Sequence, residues 1–148
     1  MRSAGGGRLS SEQTARVLLS PLPPSHQGIL KAINVNKLTS CGCVFKFWVA
    51  DWFAMLNHKM GGDIKKIRIT GEYMIEVWKA CGMNMDNVCF LWASDEINAQ
   101  SGAYWARVMD IAMRNNLKRV IRCCTIMGRK DTDEMSASQI FYPCMQAA

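Results

Sequence analysis

Tyr142 and Gln146, a phenol and an amide, stand four residues apart in a segment with helical spacing. On one helix face the two would meet and could grip a small polar ligand together. The competing reading makes them ordinary surface or boundary residues. Asp51 follows directly on an apolar run, and the carboxyl ends of strands in open α/β sheets are where sites form. A plain helix N-cap is the alternative for that carboxylate. His26 precedes Gln27 and Gly28 at the start of a helical pattern, where free amides and the helix dipole attract phosphate. Arg114, Lys118 and Arg122 recur every four residues, with Arg119 alongside, which suits a stripe that tracks phosphates or else a solvated face. His58, next to Lys59, reads as part of a surface turn. Cys41, Cys43 and His58 have a spacing poorly suited to zinc, so no metal is expected. The nucleotide-loop, metalloprotease-helix and nucleophile-elbow motifs are all absent from the sequence.

Elements that would position these groups follow from periodicity. Gln27–Lys37 predicts a helix, broken at Thr39–Ser40. Cys41–Val49, rich in Val, Phe and Trp, predicts a buried strand. Ala50–Met60 predicts a helix with Trp52, Met55 and Leu56 on one side. Gly61 and Gly62 stop it, and Asp63 is placed to cap the next one. Ile64, Ile67, Met74, Val77, Trp78 and Cys81 form one stripe, predicting a helix over Asp63–Cys81 with Gly82 at its left-handed end. Asn87–Ala93 predicts a second strand. Ser94 or Asp95 is expected to cap a long helix that Asn115–Asn116 interrupts. Leu117–Cys124 and Ser136–Gln146 predict two more helices. Apolar strands alternating with helices indicate an α/β layer structure with a parallel sheet. Two strands are too few for such a sheet, so the chain reads as part of a larger domain.

The chain has 148 residues, 49% of them apolar, and a net charge of +6. That length suits one domain, and the apolar fraction excludes a wholly disordered chain. No apolar run reaches the length of a membrane-spanning helix, so no membrane partner is expected. The basic balance permits a polyanionic partner without requiring one. Seven cysteines, with no Cys-x-x-Cys pair, suggest free thiols in a reducing compartment. Cys81, Cys89 and Cys144, within apolar segments, are expected to be buried. Residues 1–24 hold a Gly5–Gly7 run, three arginines and the Pro21–Pro24 cluster, with no helix or strand period. They read as a disordered or non-homologous segment, with an organelle transit peptide as the alternative.

Several segments together resemble tyrosyl-tRNA synthetase in its plant-like cytosolic form. They are Ala32–Leu38, Val49–Asn57, Phe90–Ser94 and Ile140–Gln146, in that order along the chain. The Tyr-Pro-x-x-Gln segment that ends at Gln146 is the most specific. The resemblance implies a partial, Rossmann-like class I catalytic domain over residues 25–148. Its activity would be activation of L-tyrosine with ATP and transfer of the tyrosyl group to tRNA(Tyr). It implies that Tyr142 and Gln146 contact tyrosine, and it leaves Asp51 as a further candidate contact. Gln27 and Gly28 align with the end of a His-Ile-Ala-Gln-Gly motif and would contact ATP. His26 falls two places from the first His, a position that Pro24 occupies. Residues 1–24 offer no counterpart to the strand that precedes this motif in the family. Arg114, Lys118 and Arg122 would lie near tRNA. Residues of about 107–140 resemble a connective segment that forms a dimer interface, homodimeric or with a full-length synthetase. Mg2+ is expected with ATP, and the cytoplasm is the expected location. The Asp that follows the Gln by three places in the family, the lysine loop and the anticodon-binding domain have no counterpart in these residues. The chain alone is therefore expected not to activate tyrosine, which leaves a non-catalytic interaction or RNA-binding module as the alternative function.

Overall fold

In this computed structural model, residues 13–17, 26–125 and 134–148 are described. Three parallel strands lie in the order β1 (Gln13–Val17), β2 (Phe45–Val49), β3 (Val88–Trp92). The registers run from Gln13 opposite Phe45 to Val17 opposite Val49, and from Phe45 opposite Val88 to Val49 opposite Trp92. The expected α/β layering is present, with one correction: a third strand forms within the segment read as having no strand period. Its five residues gain strand character from pairing with β2 rather than from their own pattern.

Alternation along β2 divides the core between the two sheet faces. Phe45 and Phe47 point to one face, joining Ala32 and Val35 of α1 (His26–Ser40) and Trp78 of α3 (Ile64–Ala80). Phe47 stacks on Trp78 and Phe90 with ring centroids 4.9 and 5.0 Å away. Trp48 points to the other face, toward a cluster built from Phe53, Ile97, Val108, Val120 and Tyr142. These residues come from α2 (Asp51–Leu56), α4 (Ala93–Ala99), α5 (Ser101–Arg114), α6 (Leu117–Thr125) and α7 (Ala137–Ala147).

Several expected boundaries move for local reasons. Helix α1 continues through Ser40, and Gly42 turns the chain at φ +82° while its N–H donates to Thr39 O. That left-handed step shortens the first expected strand to Phe45–Val49. Helix α2 stops at Leu56, because His58 and Met60 take φ of +54° and +52° around a short 3-10 turn at Lys59–Gly62. Phe53 and Ala54 are the fully buried apolar positions of α2, and Trp52 and Leu56 pack half-buried against the same cluster as Phe53. Asp63 caps α3 as expected, its Oδ1 accepting from the N–H groups of Lys65 and Lys66 at 3.0 and 3.2 Å. The long helix after β3 is two helices, α4 and α5, separated at Gln100.

None of the seven cysteines is in a disulfide; Cys124 and Cys144 are buried, and burial pushes the Cys144 thiol pKa up. Cys81 and Cys89 are exposed, against expectation. Cys81 sits just beyond α3, where the helix end lifts it from the stripe, and Cys89 is the exposed position of β3. Among the described residues, no helix is long and apolar enough to cross a membrane.

Candidate functional site

The carboxyl ends of β2 and β3 are joined by one buried carboxylate. Asp51, fully buried, accepts from Trp52 N–H at 2.8 Å and from Ser94 N–H at 3.0 Å through Oδ1. Its Oδ2 accepts from Ser94 Oγ at 2.5 Å and lies 3.6 Å from Arg68 Nη1. Arg68 reaches in from α3. It donates to Ser94 Oγ at 3.0 Å and makes a two-pronged pair with Asp95 at 3.1 and 3.0 Å. Its guanidinium also lies over the Trp92 ring, 4.6 Å from the centroid. The Asp95 hydrogen bonds raise the Arg68 pKa, and the same bonds hold the Asp95 carboxyl below its ordinary value.

These contacts correct two expectations. Asp51 is not a simple cap, since Ala50 holds the N-cap position of α2 and both carboxylate oxygens are engaged in tying β2 to β3. Ser94 does not cap α4, which begins at Ala93 behind Trp92 with no side-chain cap. Ser94 serves the buried carboxylate instead. Gly71 completes the joint, because a Cβ there would sit 2.6 Å from Trp92 Cη2 and 3.5 Å from Val49 Cγ1. Gly71→Ala should therefore destabilise the fold by about 1–2 kcal/mol, the overpacking outweighing the better helix propensity of alanine. Thermal unfolding checks this, and a stabilised variant would contradict it.

Helix α7 places the phenol and the amide as their spacing predicts. Ser136 caps it, and Gln139 closes a reciprocal capping box. Tyr142 is 1% exposed, with its ring edge-on to Phe53 at 5.5 Å between centroids, while Gln146 is half-buried one turn later. Pro143 has no N–H to give the carbonyl of Gln139, four residues back. Cys124 Sγ approaches that carbonyl at 3.5 Å, joining α6 to α7. Tyr104 Oη donates to Met145 O at 2.7 Å and joins α5 to the last turn. Beside that turn lies a cleft of about 180 Å³, walled by Trp48, Glu96, Ile97, Tyr104, Arg107 and Ala148. It holds one aromatic wall from β2, one phenol, one carboxylate and one guanidinium.

The basic stripe does not form as expected. Arg114 ends α5, Asn115 is extended, and Lys118 and Arg122 share the separate helix α6. Arg114 Nε pairs with Asp110 at 2.9 Å. The side chains of His26 and Gln27, and the ATP-contact expectation for them and Gly28, lie outside the described residues. So do Pro24 and residues 126–133. Cys41 and Cys43 follow α1, whereas His58 Nε2 lies 3.0 Å from Ser136 Oγ. Among the described residues, no group of three His, Cys, Asp or Glu could hold a metal ion.

A parallel α/β layer with a buried tie at its strand ends, and a Tyr-Pro-x-x-Gln helix beside a small cleft, make this a domain of the nucleotide-fold type. Residues 25–148 match the family of class I tRNA synthetases for tryptophan and tyrosine, and the chain belongs to that family. Within it, the similarity falls on tyrosyl-tRNA synthetases of plant-like type. Cytoplasmic tyrosine–tRNA ligase 1 of Arabidopsis thaliana is 63% identical over 122 residues, which are 82% of this chain and 32% of that protein. Tyrosine–tRNA ligase 2 of the same plant, also named cytoplasmic, is 62% identical over 82% of this chain and 16% of its own length. The chain thus spans about a third or less of these relatives. A Leishmania major tyrosyl-tRNA synthetase, solved with tyrosinol, has a TM-score of 0.72 at 56% identity. It covers 81% of this chain, which corresponds to 18% of that one. The Pyrococcus horikoshii enzyme, solved with L-tyrosine, has a TM-score of 0.73 at 26% identity and covers 93% of this chain and 38% of its own.

Sequence reasoning missed Arg68, Ser94 as a ligand of Asp51, and the Trp48 cleft. Arg68 carried a usable signal. It lies four residues after Ile64 and three before Gly71, on the border of the buried stripe of α3, where a charged residue needs a partner. The cleft carried none, since its walls come from positions far apart in the chain.

Proposed function

We propose that the chain forms the tyrosine-binding part of a cytoplasmic tyrosine–tRNA ligase. Such an enzyme activates L-tyrosine with ATP and passes the tyrosyl group to tRNA(Tyr). The observation that carries this reading is α7, which aligns Tyr142 and Gln146 on one face and is followed by Ala148 in the wall of the cleft. A phenol and an amide so fixed supply polar partners to an amino-acid substrate. The aromatic face of Trp48 suits the substrate ring. Synthetases of this kind exclude phenylalanine because it would leave buried polar groups unpaired, an argument for which tyrosyl-tRNA synthetase is itself a standard example. Catalysis of adenylate formation is chiefly positioning and charge stabilisation at the α-phosphate. His26, Gln27 and Gly28 remain the proposed ATP contacts. Mg2+ is proposed to arrive with the nucleotide as part of the substrate, since the described side chains offer it no cluster. Lys118 and Arg122 on α6, with Arg114 before them, remain the proposed tRNA-facing cations.

Equilibrium dialysis with labelled L-tyrosine tests this reading. Saturable binding by the 148-residue chain is expected, together with no tyrosine-dependent ATP–pyrophosphate exchange above blank. Absence of saturable binding would overturn the binding role, and robust exchange would overturn the expected lack of activity in the isolated chain.

A second reading, an interaction module that pairs with another synthetase subunit, is favoured by one surface. Met109 and Met113, four residues apart on α5, are 59 and 88% exposed, and Leu117, which begins α6, is 60% exposed. Phe141, also exposed, stacks on Trp105 beside them. Solvent-facing apolar runs of this kind mark interfaces. Met113→Lys with Leu117→Lys should shift the chain toward monomer in sedimentation; an unchanged oligomeric state would count against this interface.

A further inference from the structure

Helix α7 is held at its start by a chain of hydroxyl groups that ends on His58. Ser138 Oγ donates to Leu56 O at 3.1 Å, which uses its single proton. Ser136 and Ser138 hydroxyls lie 2.8 Å apart, so Ser136 must be the donor between them. Ser136 Oγ has then spent its own proton too, and these two hydroxyl oxygens, both without a proton left to give, lie 3.0 Å (Ser136) and 3.4 Å (Ser138) from His58 Nε2. The ring must therefore donate, and the chain runs His58 Nε2–H to Ser136 to Ser138 to the Leu56 carbonyl. Protons aligned head to tail in this way reinforce one another. His58 itself sits at φ +54°, a backbone region that non-glycine residues rarely occupy and in which histidine is among the better tolerated.

Ser138, Tyr142 and Gln146 recur at four-residue steps and so share one face of α7. The same hydroxyl that is tied to residues 56–58 thus fixes the rotation of the face that carries the phenol and the amide. Phe53, on the helix just before this turn, meets the Tyr142 ring. We infer that His58 is a positioning residue for the tyrosine site: it orients α7 through an ordered Ser136–Ser138 hydrogen-bond chain and requires a donor at its tip. This inference rests on the tyrosine-binding reading.

The test compares His58→Gln with His58→Met in the whole chain. Both side chains are unbranched and similar in reach, and both bear the same backbone cost at a positive φ; only glutamine keeps a donor. His58→Met should weaken L-tyrosine binding about fivefold, the effect of one lost hydrogen bond, while His58→Gln stays within about twofold of the unsubstituted chain. Hydrogen exchange at the α7 amides from Gln139 to Phe141 should quicken in the Met variant only. Equal tyrosine affinity in the two variants would overturn the positioning role, even if exchange differed. No tyrosine binding by the unsubstituted chain would instead sink the reading beneath it, and the exchange comparison would then still decide whether the donor orders the helix.

Discussion

Asp51→Ala should cost about 3 kcal/mol of folding stability, the scale set by breaking a buried ionic and hydrogen-bonded group. The carboxylate is fully buried and accepts from two backbone N–H groups and the Ser94 hydroxyl. Alanine would strand all three donors without water to replace the lost acceptor. Arg68 would suffer less, because its side chain is 36% exposed and retains the two-pronged pair with Asp95. Asp51→Asn should fall between, at about 1–2 kcal/mol, since its amide accepts through one atom only. Urea unfolding followed by far-ultraviolet circular dichroism measures both. A loss below about 1 kcal/mol for the alanine variant would show that the strand ends are held by something other than this tie.

Tyr142→Ala should be at least as damaging, at about 4 kcal/mol, because it empties a core position as well as the candidate site. Tyr142 is among the largest fully buried side chains and packs in one cluster with Ala50, Phe53, Ala93 and Met145. Tyr142→Phe separates the two effects. The ring stays against Phe53, so stability should change by about 1 kcal/mol, whereas L-tyrosine affinity should fall about fivefold or more with the loss of the hydroxyl. If the phenylalanine variant bound tyrosine as well as the unsubstituted chain, the phenol would be a core residue with no part in recognition.

How far the sequence foretold this arrangement depended on whether local chemistry decided each element. Helix α3 was legible because Asp63 at one end, Gly82 at the other and an apolar stripe between them agree. Helix α7 was legible from its helical spacing, above all the four-residue step of Tyr142 to Gln146. Strand β1 was not, since Gln13–Val17 is short and takes its order from a neighbour 32 residues away in register, as with Gln13 and Phe45. The break at Asn115 was legible from the Asn115–Asn116 pair, whereas the one at Gln100 was not. The four-residue step of Arg114, Lys118 and Arg122 nonetheless suggested a single cationic stripe where two helices meet. Site residues divide in the same way. Tyr142 and Gln146 are four apart on one element, which a sequence displays directly. Asp51 meets Ser94 across 43 positions and His58 meets Ser136 across 78, contacts that exist only once strand ends and helices are packed together.

The most direct test of the tyrosine site is a nuclear magnetic resonance titration of the isotope-labelled chain with L-tyrosine. The expected result is saturable shifts at the Trp48 indole, at Ile97 and along Tyr142–Ala148, with the Phe47–Trp78–Phe90 stack on the opposite sheet face undisturbed. Saturable shifts centred elsewhere, or none at millimolar tyrosine, would contradict the assignment of α7 and its cleft to the amino acid.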